Sequence, residues 1–172
     1  RSLIQKSGAR FVDLAEIGSY EDGFFNLEVF GKADRVVYLA AYLYHYRRDG
    51  SSSVTSGYSP RLYDQWQTLY DRLEAIIRSN QLGSEYEAAL NNRIALGILG
   101  LGLNITVSTQ SMGEKLKDIR RIIRQERYRK AYKNLPLNYF PIHWKLFYGC
   151  ARHGFAFGVY VLLTVIQRII SR

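Results

Sequence analysis

Residues 60–79 have the sequence PRLYDQWQTLYDRLEAIIRS, and this stretch marks where the chain becomes helical. Its apolar side chains recur at steps of four, three, four and three residues, which is the spacing of one face of an α-helix. They are Leu62, Trp66, Leu69, Leu73 and Ile76. Pro60 suits the first turn of a helix, and Asn80 and Gly83 suit its end. The sequence therefore predicts a helix between these residues.

Three further helices are predicted after this one, over about residues 84–107, 113–133 and 142–171. Residues 94–103 carry no polar side chain, which indicates a buried helix. Their glycines, Gly97, Gly100 and Gly102, do not have the order of a dinucleotide-binding fingerprint, so we interpret them as packing positions. Residues 134–141 predict a break, and the last helix is expected to divide at its glycines.

The chain before residue 59 has a different pattern. Glu21 and Asp22 follow a Gly-Ser-Tyr turn and precede an apolar run, which predicts a short helix with an acidic first turn that ends at Gly31. Residues 36–46 are rich in valine, tyrosine and leucine, which predicts one strand or two short ones. Residues 47–60 are polar and predict a loop. We therefore expect an α/β part over residues 1–58 and a helical extension over residues 59–172.

The positive charge is concentrated at the C-terminal end. The whole chain carries 24 basic and 15 acidic residues, whereas residues 111–172 carry 13 basic and 3 acidic ones. Such asymmetry indicates an anionic partner, either nucleic acid or an acidic membrane surface. A solvated helix face explains the same pattern without any partner.

An uncharged run lies within the basic block, which is residues 111–172. Residues 154–166 contain no charged side chain and are flanked by Arg152, Arg168 and Arg172. A helix needs about 20 apolar residues to span a bilayer, so this run is short for a span. Three interpretations remain open: a helix packed on its own protein, one that lies at a membrane surface with nearby aromatic anchors, or a genuine span.

Residue types that carry familiar chemistry are sparse. The single cysteine, Cys150, excludes an internal disulfide and any cysteine-cluster zinc site. His45, His143 and His153 lack metal-ligand spacing, so the sequence predicts no metal site. Residues 44–53 place two arginines before a serine-rich loop, and arginine and serine suit phosphate oxygens. Taken alone, that run indicates a general anion site, and the Glu21-Asp22 pair indicates a helix cap.

The order of these runs carries more information than any one of them. They are Ser2-Leu3-Ile4, Arg10-Phe11, Tyr20-Glu21-Asp22 with Phe25-Asn26-Leu27, Leu43-Tyr44-His45-Tyr46-Arg47, and Ser51-Ser52-Ser53-Val54-Thr55. This order resembles the C-terminal half of a family 2 glycosyltransferase domain, over about residues 1–60. These are inverting enzymes of GT-A fold that use nucleotide-diphosphate sugars. The resemblance implies the C-terminal portion of a Rossmann-like α/β domain, followed by the helical extension of a bacterial surface-polysaccharide enzyme.

The resemblance also implies residue roles. Asp22 matches the family's catalytic base, which takes a proton from an acceptor hydroxyl, and Glu21 would shape the acceptor site. A second set matches the family's motif near the donor diphosphate, namely His45, Arg47, Arg48 and either Ser51 or Ser53. Mg²⁺ or Mn²⁺ would assist the departure of the diphosphate, and the acceptor would be a glycan or a lipid-linked sugar.

One part of the family pattern is missing. No Asp-x-Asp occurs in the 172 residues, the first residue is Arg1, and the sole methionine is Met112. We therefore expect a piece of a longer enzyme that lacks the main metal ligands and is inactive alone. We expect the full enzyme at the cytoplasmic face of the plasma membrane. The alternative is a non-enzymatic helical module that binds nucleic acid through residues 115–133, where basic and aromatic side chains interleave.

Overall fold

All regular secondary structure in the computed structural model, which describes residues 1–45 and 57–170, is helical. A short 3₁₀ turn lies at Leu137–Tyr139. The helices are α1 (Ser2–Ser7), α2 (Leu14–Ile17), α3 (Glu21–Phe30), α4 (Leu62–Ser79), α5 (Ser84–Thr106), α6 (Met112–Arg124), α7 (Glu126–Asn134), α8 (Ile142–Arg152) and α9 (Ala156–Ile170).

The expected α/β fold class is therefore wrong for the described part of the chain. Residues 36–45 of the predicted strand are irregular and exposed, with Tyr38 at 90% and Tyr42 at 101% relative exposure. A β-strand forms only against a neighbour that completes its backbone hydrogen bonds, and the described residues contain no such neighbour. High β-propensity did not produce a strand here because propensity depends on that context.

The helical predictions after residue 59 are confirmed with one difference. Helices α4 and α5 have nearly the predicted bounds, and Gly154, at φ +70°, separates α8 from α9. The predicted helix over residues 113–133 is instead two helices, because Gln125 is extended at φ −65° and ψ 145°. The side-chain oxygen of Gln125 accepts a hydrogen bond from the Tyr63 hydroxyl of α4. The bend between α6 and α7 is thus accompanied by a hydrogen bond to α4, a segment that is distant in the sequence.

Helix α5 lies at the centre of the core, where it packs against α4, α6, α7 and α9. Its glycines make these contacts close. A Cβ atom on Gly97 would collide with the Tyr70 hydroxyl, one on Gly100 would lie 2.6 Å from Trp66 Cη2, and one on Gly102 would collide with Leu163. The interpretation of these glycines as packing positions is confirmed.

Helix α5 is also, among the described helices, the one long and apolar enough to cross a bilayer by length and composition. Core helices meet the same criterion, and the packing of α5 against four neighbours supports a core role. In α9, Val159 and Leu163 are buried against the core, whereas Phe157, Val161 and Val165 are exposed. One face of the C-terminal apolar run is therefore packed on its own protein, and the opposite face is free.

Helices α2 and α3 join the same core. Helix α2 packs on α4, and Ile17 and Phe24 belong to the buried cluster formed with α4 and α5. The division of the chain at residue 58 stays a prediction.

Candidate functional site

The Glu21-Asp22 pair lies in the first turn of α3, as the sequence predicts. Asp22 is exposed, and its Oδ1 accepts a hydrogen bond of 2.6 Å from the Gly23 N–H. Tyr20 precedes the helix in the left-handed region at φ 76°, and its ring lies where a Cβ on Gly23 would be. Gly23 is therefore required for this turn, which presents the Asp22 carboxylate to solvent.

The segment that carries this turn is fixed to α4 by side-chain contacts. Trp66 Nε1 donates to Ser19 Oγ at 3.1 Å, and Gln65 Nε2 donates to the Ala15 carbonyl at 3.0 Å. Arg72 forms an ion pair with Glu16 of α2. The start of α3 is thus held by both polar contacts and the packing of α2 on α4.

A groove of about 590 Å³ opens beside this turn, between α3, α4 and α5. Aromatic and apolar side chains dominate it, with Arg93 and Asn92 as polar groups. Lining residues include Tyr20, Leu27, Trp66, Tyr70, Tyr86 and Leu96. An apolar, aromatic surface with a few polar groups is the usual composition of a small-ligand site. Asp22 does not line the groove, but Tyr20, two residues before it, does.

Arg93 is the main polar feature of the groove. Its guanidinium lies 3.5 Å from the centroid of the Tyr20 ring, a cation–π arrangement. Arg93 Nε is buried and has no hydrogen-bond partner among the described residues. Burial raises the pKa of Tyr70 to about 12, although Arg93 opposes this effect. The Tyr70 hydroxyl therefore remains a neutral donor at physiological pH.

The structure places the other predicted site residues only in part. His45 is exposed, and no hydrogen bond or ion pair within residues 1–45 and 57–170 joins it to Glu21 or Asp22. Arg47, Arg48, Ser51 and Ser53 lie outside the described residues. Of the predicted donor-side motif, only His45 lies in the described ranges, and its assembly with the Glu21-Asp22 pair stays a prediction.

Divalent cations require several oxygen ligands. Within the described ranges, no group of three His, Cys, Asp or Glu side chains could hold a metal ion. Asp22 and Glu21 alone do not supply the ligand set for Mg²⁺ or Mn²⁺. The described residues therefore do not fit the cation that the family resemblance implies.

A second concave surface lies in the basic block. This basic hollow, of about 790 Å³, is formed by α6, α7 and α8. Five cations and one carboxylate line it: Arg124, Arg129, Lys130, Lys133 and Arg152, with Glu126. The sequence predicts the excess charge, but only the bend at Gln125 and the return of α8 bring these cations together.

The two tyrosines interleaved with basic residues in α7 are not available for stacking. Tyr128 and Tyr132 are 0% and 1% exposed, and burial raises the pKa of each hydroxyl. Arg127, which lies between basic neighbours in the sequence, pairs with Asp71 and Glu74 of α4. Stacking on nucleic-acid bases needs exposed rings. The tyrosines of the interleaved pattern that suggested nucleic-acid binding therefore belong to the core, whereas Arg129, Lys130 and Lys133 are exposed.

Comparison with known proteins found two curated relatives, both from Bacillus subtilis (strain 168) and both named as glycosyltransferases. The chain is 30% identical to EpsH over 121 residues, which is 69% of this chain and 35% of EpsH. It is 29% identical to EpsJ over 150 residues, which is 87% of this chain and 42% of EpsJ. No protein-family profile and no solved structure matches.

The chain is thus similar to glycosyltransferases, and it spans about two-fifths or less of the length of these relatives. A match over 150 of 172 residues must extend well into the helices after residue 59. The similarity is therefore not confined to the motifs of the first 60 residues. The names of the two relatives support the general class that those motifs predict, a glycosyltransferase.

Proposed function

We propose that this chain is the acceptor-side part of an inverting family 2 glycosyltransferase that uses nucleotide-diphosphate sugars. The similarity to EpsJ over 150 residues carries this proposal, because EpsJ is named as a glycosyltransferase. The product would be a cell-surface polysaccharide, built on a glycan or lipid-linked acceptor.

Asp22 would act as the general base in this reaction. The acceptor oxygen attacks the anomeric carbon and loses its proton to the Asp22 carboxylate. A glycosidic bond forms, the bond from the anomeric carbon to the nucleotide diphosphate breaks, and the configuration inverts. The exposure of Asp22 and the hydrogen bond from Gly23 support this role, because a base must reach the substrate and be oriented.

The groove beside α3 would bind the acceptor. Tyr20 and Trp66 offer flat apolar surfaces, while Arg93 and Tyr70 offer hydrogen-bond donors. Glu21, half-buried beside Tyr20, would shape the entrance from the Asp22 side. Since Tyr20 lines the groove and lies in the same turn as Asp22, an acceptor held there would reach the base by its exposed end.

The donor diphosphate would contact His45, Arg47, Arg48 and a serine, Ser51 or Ser53, as the family resemblance implies. Arginine pairs well with phosphate oxygens because its planar fork donates two parallel hydrogen bonds. Mg²⁺ or Mn²⁺, where the full enzyme holds it, would neutralise charge on the departing diphosphate.

We further place the enzyme at the cytoplasmic face of the plasma membrane. The exposed face of α9, with Phe157, Val161 and Val165, combines apolar side chains with the neighbouring basic block. This combination is typical of helices that lie at an anionic membrane surface.

A transfer assay tests the proposal. The full-length protein that contains this chain, and the 172-residue chain alone, are incubated with a panel of nucleotide-diphosphate sugars and membrane-extracted acceptors. We expect product, or slow donor hydrolysis, from the full-length protein only. Turnover by the isolated chain would contradict its assignment as a part without the nucleotide-binding and metal-binding half of the enzyme. Failure of every donor with well-folded full-length protein would contradict glycosyl transfer itself.

A further inference from the structure

Some cations of the basic block outside the hollow have partners, whereas the basic hollow gathers cations that form no ion pair within the described residues. Elsewhere in the block, Arg127 pairs with two carboxylates, Arg121 lies 3.6 Å from Asp118, and Lys115 donates to the Thr106 carbonyl. The hollow instead has five cations against Glu126, and none of its arginines or lysines forms an ion pair within the described residues.

This arrangement is unfavourable for the protein by itself. Arg129 and Lys133 are four residues apart on α7, so their like charges face each other on one side of the helix. Arg124 approaches from α6 and Arg152 from α8. An anion in the hollow would relieve this repulsion.

Arg152 is held in position for such an anion. Its Nε donates to the Tyr132 carbonyl at 2.9 Å, and one terminal nitrogen donates to the Leu135 carbonyl at 2.8 Å. These carbonyls belong to the end of α7, where a cation also favours the helix dipole. The remaining N–H groups of a guanidinium are left for a ligand, with little orientation entropy to lose.

The hollow also opens onto an apolar corner. Arg124 Nε lies 3.9 Å from the position of a Cβ on Gly154, which forms the turn between α8 and α9 at φ +70°. The next residue, Phe155, is 55% exposed, and its ring centroid is 6.4 Å from that of Phe157. A ligand with an anionic head and an apolar remainder could therefore contact both surfaces.

We propose that the basic hollow is a binding site for a phosphomonoester or diphosphate group. Several guanidinium and ammonium donors around one concave space suit the multiple oxygens of such a group. The site is formed by α6, α7 and α8, whereas the groove beside Asp22 is formed by α3, α4 and α5. The proposal for the basic hollow does not depend on glycosyl transfer, and binding experiments test it.

The test compares two double variants of equal charge change. Arg129→Gln with Lys133→Gln removes two exposed cations of the hollow, and Lys117→Gln with Arg120→Gln removes two exposed cations of α6 outside it. Calorimetry measures the binding of inorganic pyrophosphate, and co-sedimentation measures binding to vesicles of equimolar phosphatidylcholine and phosphatidic acid, whose headgroup is a phosphomonoester. Circular dichroism confirms that both variants are folded.

We expect the hollow variant to bind at least about tenfold more weakly, because charge-assisted hydrogen bonds are about twice as strong as neutral ones. The α6 variant should bind like the parent. Saturable binding of pyrophosphate would identify a soluble phosphate ligand, and binding of the vesicles alone would identify a lipid headgroup. Equal losses in both variants, or no binding of either probe, would overturn the proposal. Single-stranded RNA binding that both variants weaken alike, without pyrophosphate binding, would also overturn it.

Discussion

The substitution Gly100→Ala tests the close approach of α4 and α5 that shapes the groove. The added Cβ would lie 2.6 Å from Trp66 Cη2 and 3.3 Å from Trp66 Cζ3. The indole cannot move freely, because its Nε1 donates to Ser19. Relief of the clash must therefore shift the ring and weaken that hydrogen bond.

The magnitude follows from three effects. Overpacking of a core costs about 1–3 kcal/mol, and a lost hydrogen bond costs about 1 kcal/mol. Replacing glycine by alanine within a helix gains about 1 kcal/mol. The free energy of unfolding should therefore fall by about 1–3 kcal/mol in Gly100→Ala.

Gly149→Ala is the matched control. Gly149 lies within α8, and nothing is within 4 Å of the position of its Cβ, so only the helix gain applies. Urea unfolding followed by circular dichroism should show opposite shifts, with Gly149→Ala about 1 kcal/mol more stable than the parent. A Gly100→Ala variant as stable as the parent would refute the packing derived for Trp66.

Three other predictions concern pH, a helix cap and the exposed face of α9. Burial raises the pKa of Tyr70 and of Tyr148 to about 12, so stability is unaffected below the ordinary pKa of 10.0 and falls as pH rises from there toward 12. Exposed tyrosines ionise without unfolding, so the last part of the rise in tyrosinate absorbance should coincide with loss of helix, and full ionisation with the helices intact would contradict the burial of Tyr70 and Tyr148. Ser111→Ala removes the capping box of α6 and should lower the free energy of unfolding by about 1 kcal/mol in a urea titration; an unchanged midpoint would contradict the cap. Val161→Ser, on the exposed face of α9, should leave that midpoint nearly unchanged and weaken sedimentation with anionic vesicles, and unaltered sedimentation would contradict the membrane placement.

Local patterns predicted the helices well, because a helix completes its hydrogen bonds within one segment. The helical spacing of the apolar residues from Leu62 to Ile76 correctly predicted α4, and the interpretation of the α5 glycines as packing positions is confirmed. The strand predicted over residues 36–46 did not form over its described residues, 36–45, because strand formation depends on a neighbour elsewhere in the chain. The bend at Gln125 was missed since no glycine or proline marks it, and its partner, Tyr63, is distant in the sequence.

In the candidate site, too, local features could be predicted from the sequence, whereas contacts between distant residues could not. The turn that starts α3 and presents Asp22 was predictable, because acidic residues after a turn indicate a helix start. The placement of Arg93 over Tyr20 was not, since no local signal links residues so far apart in the chain. The charge excess near the C-terminus was visible in the sequence, whereas the gathering of Arg124 and Arg152 at one hollow required the fold.

The role of Asp22 is the central claim, and one measurement tests it most directly. Sugar transfer by the full-length enzyme is compared between Asp22→Asn and Glu28→Gln, a carboxylate change farther along the same helix. Loss of a general base predicts that kcat of Asp22→Asn falls at least about 100-fold with donor affinity unchanged. Glu28→Gln should retain the parent's rate. Near-parental kcat in Asp22→Asn, in an enzyme that binds its donor normally, would contradict the assignment.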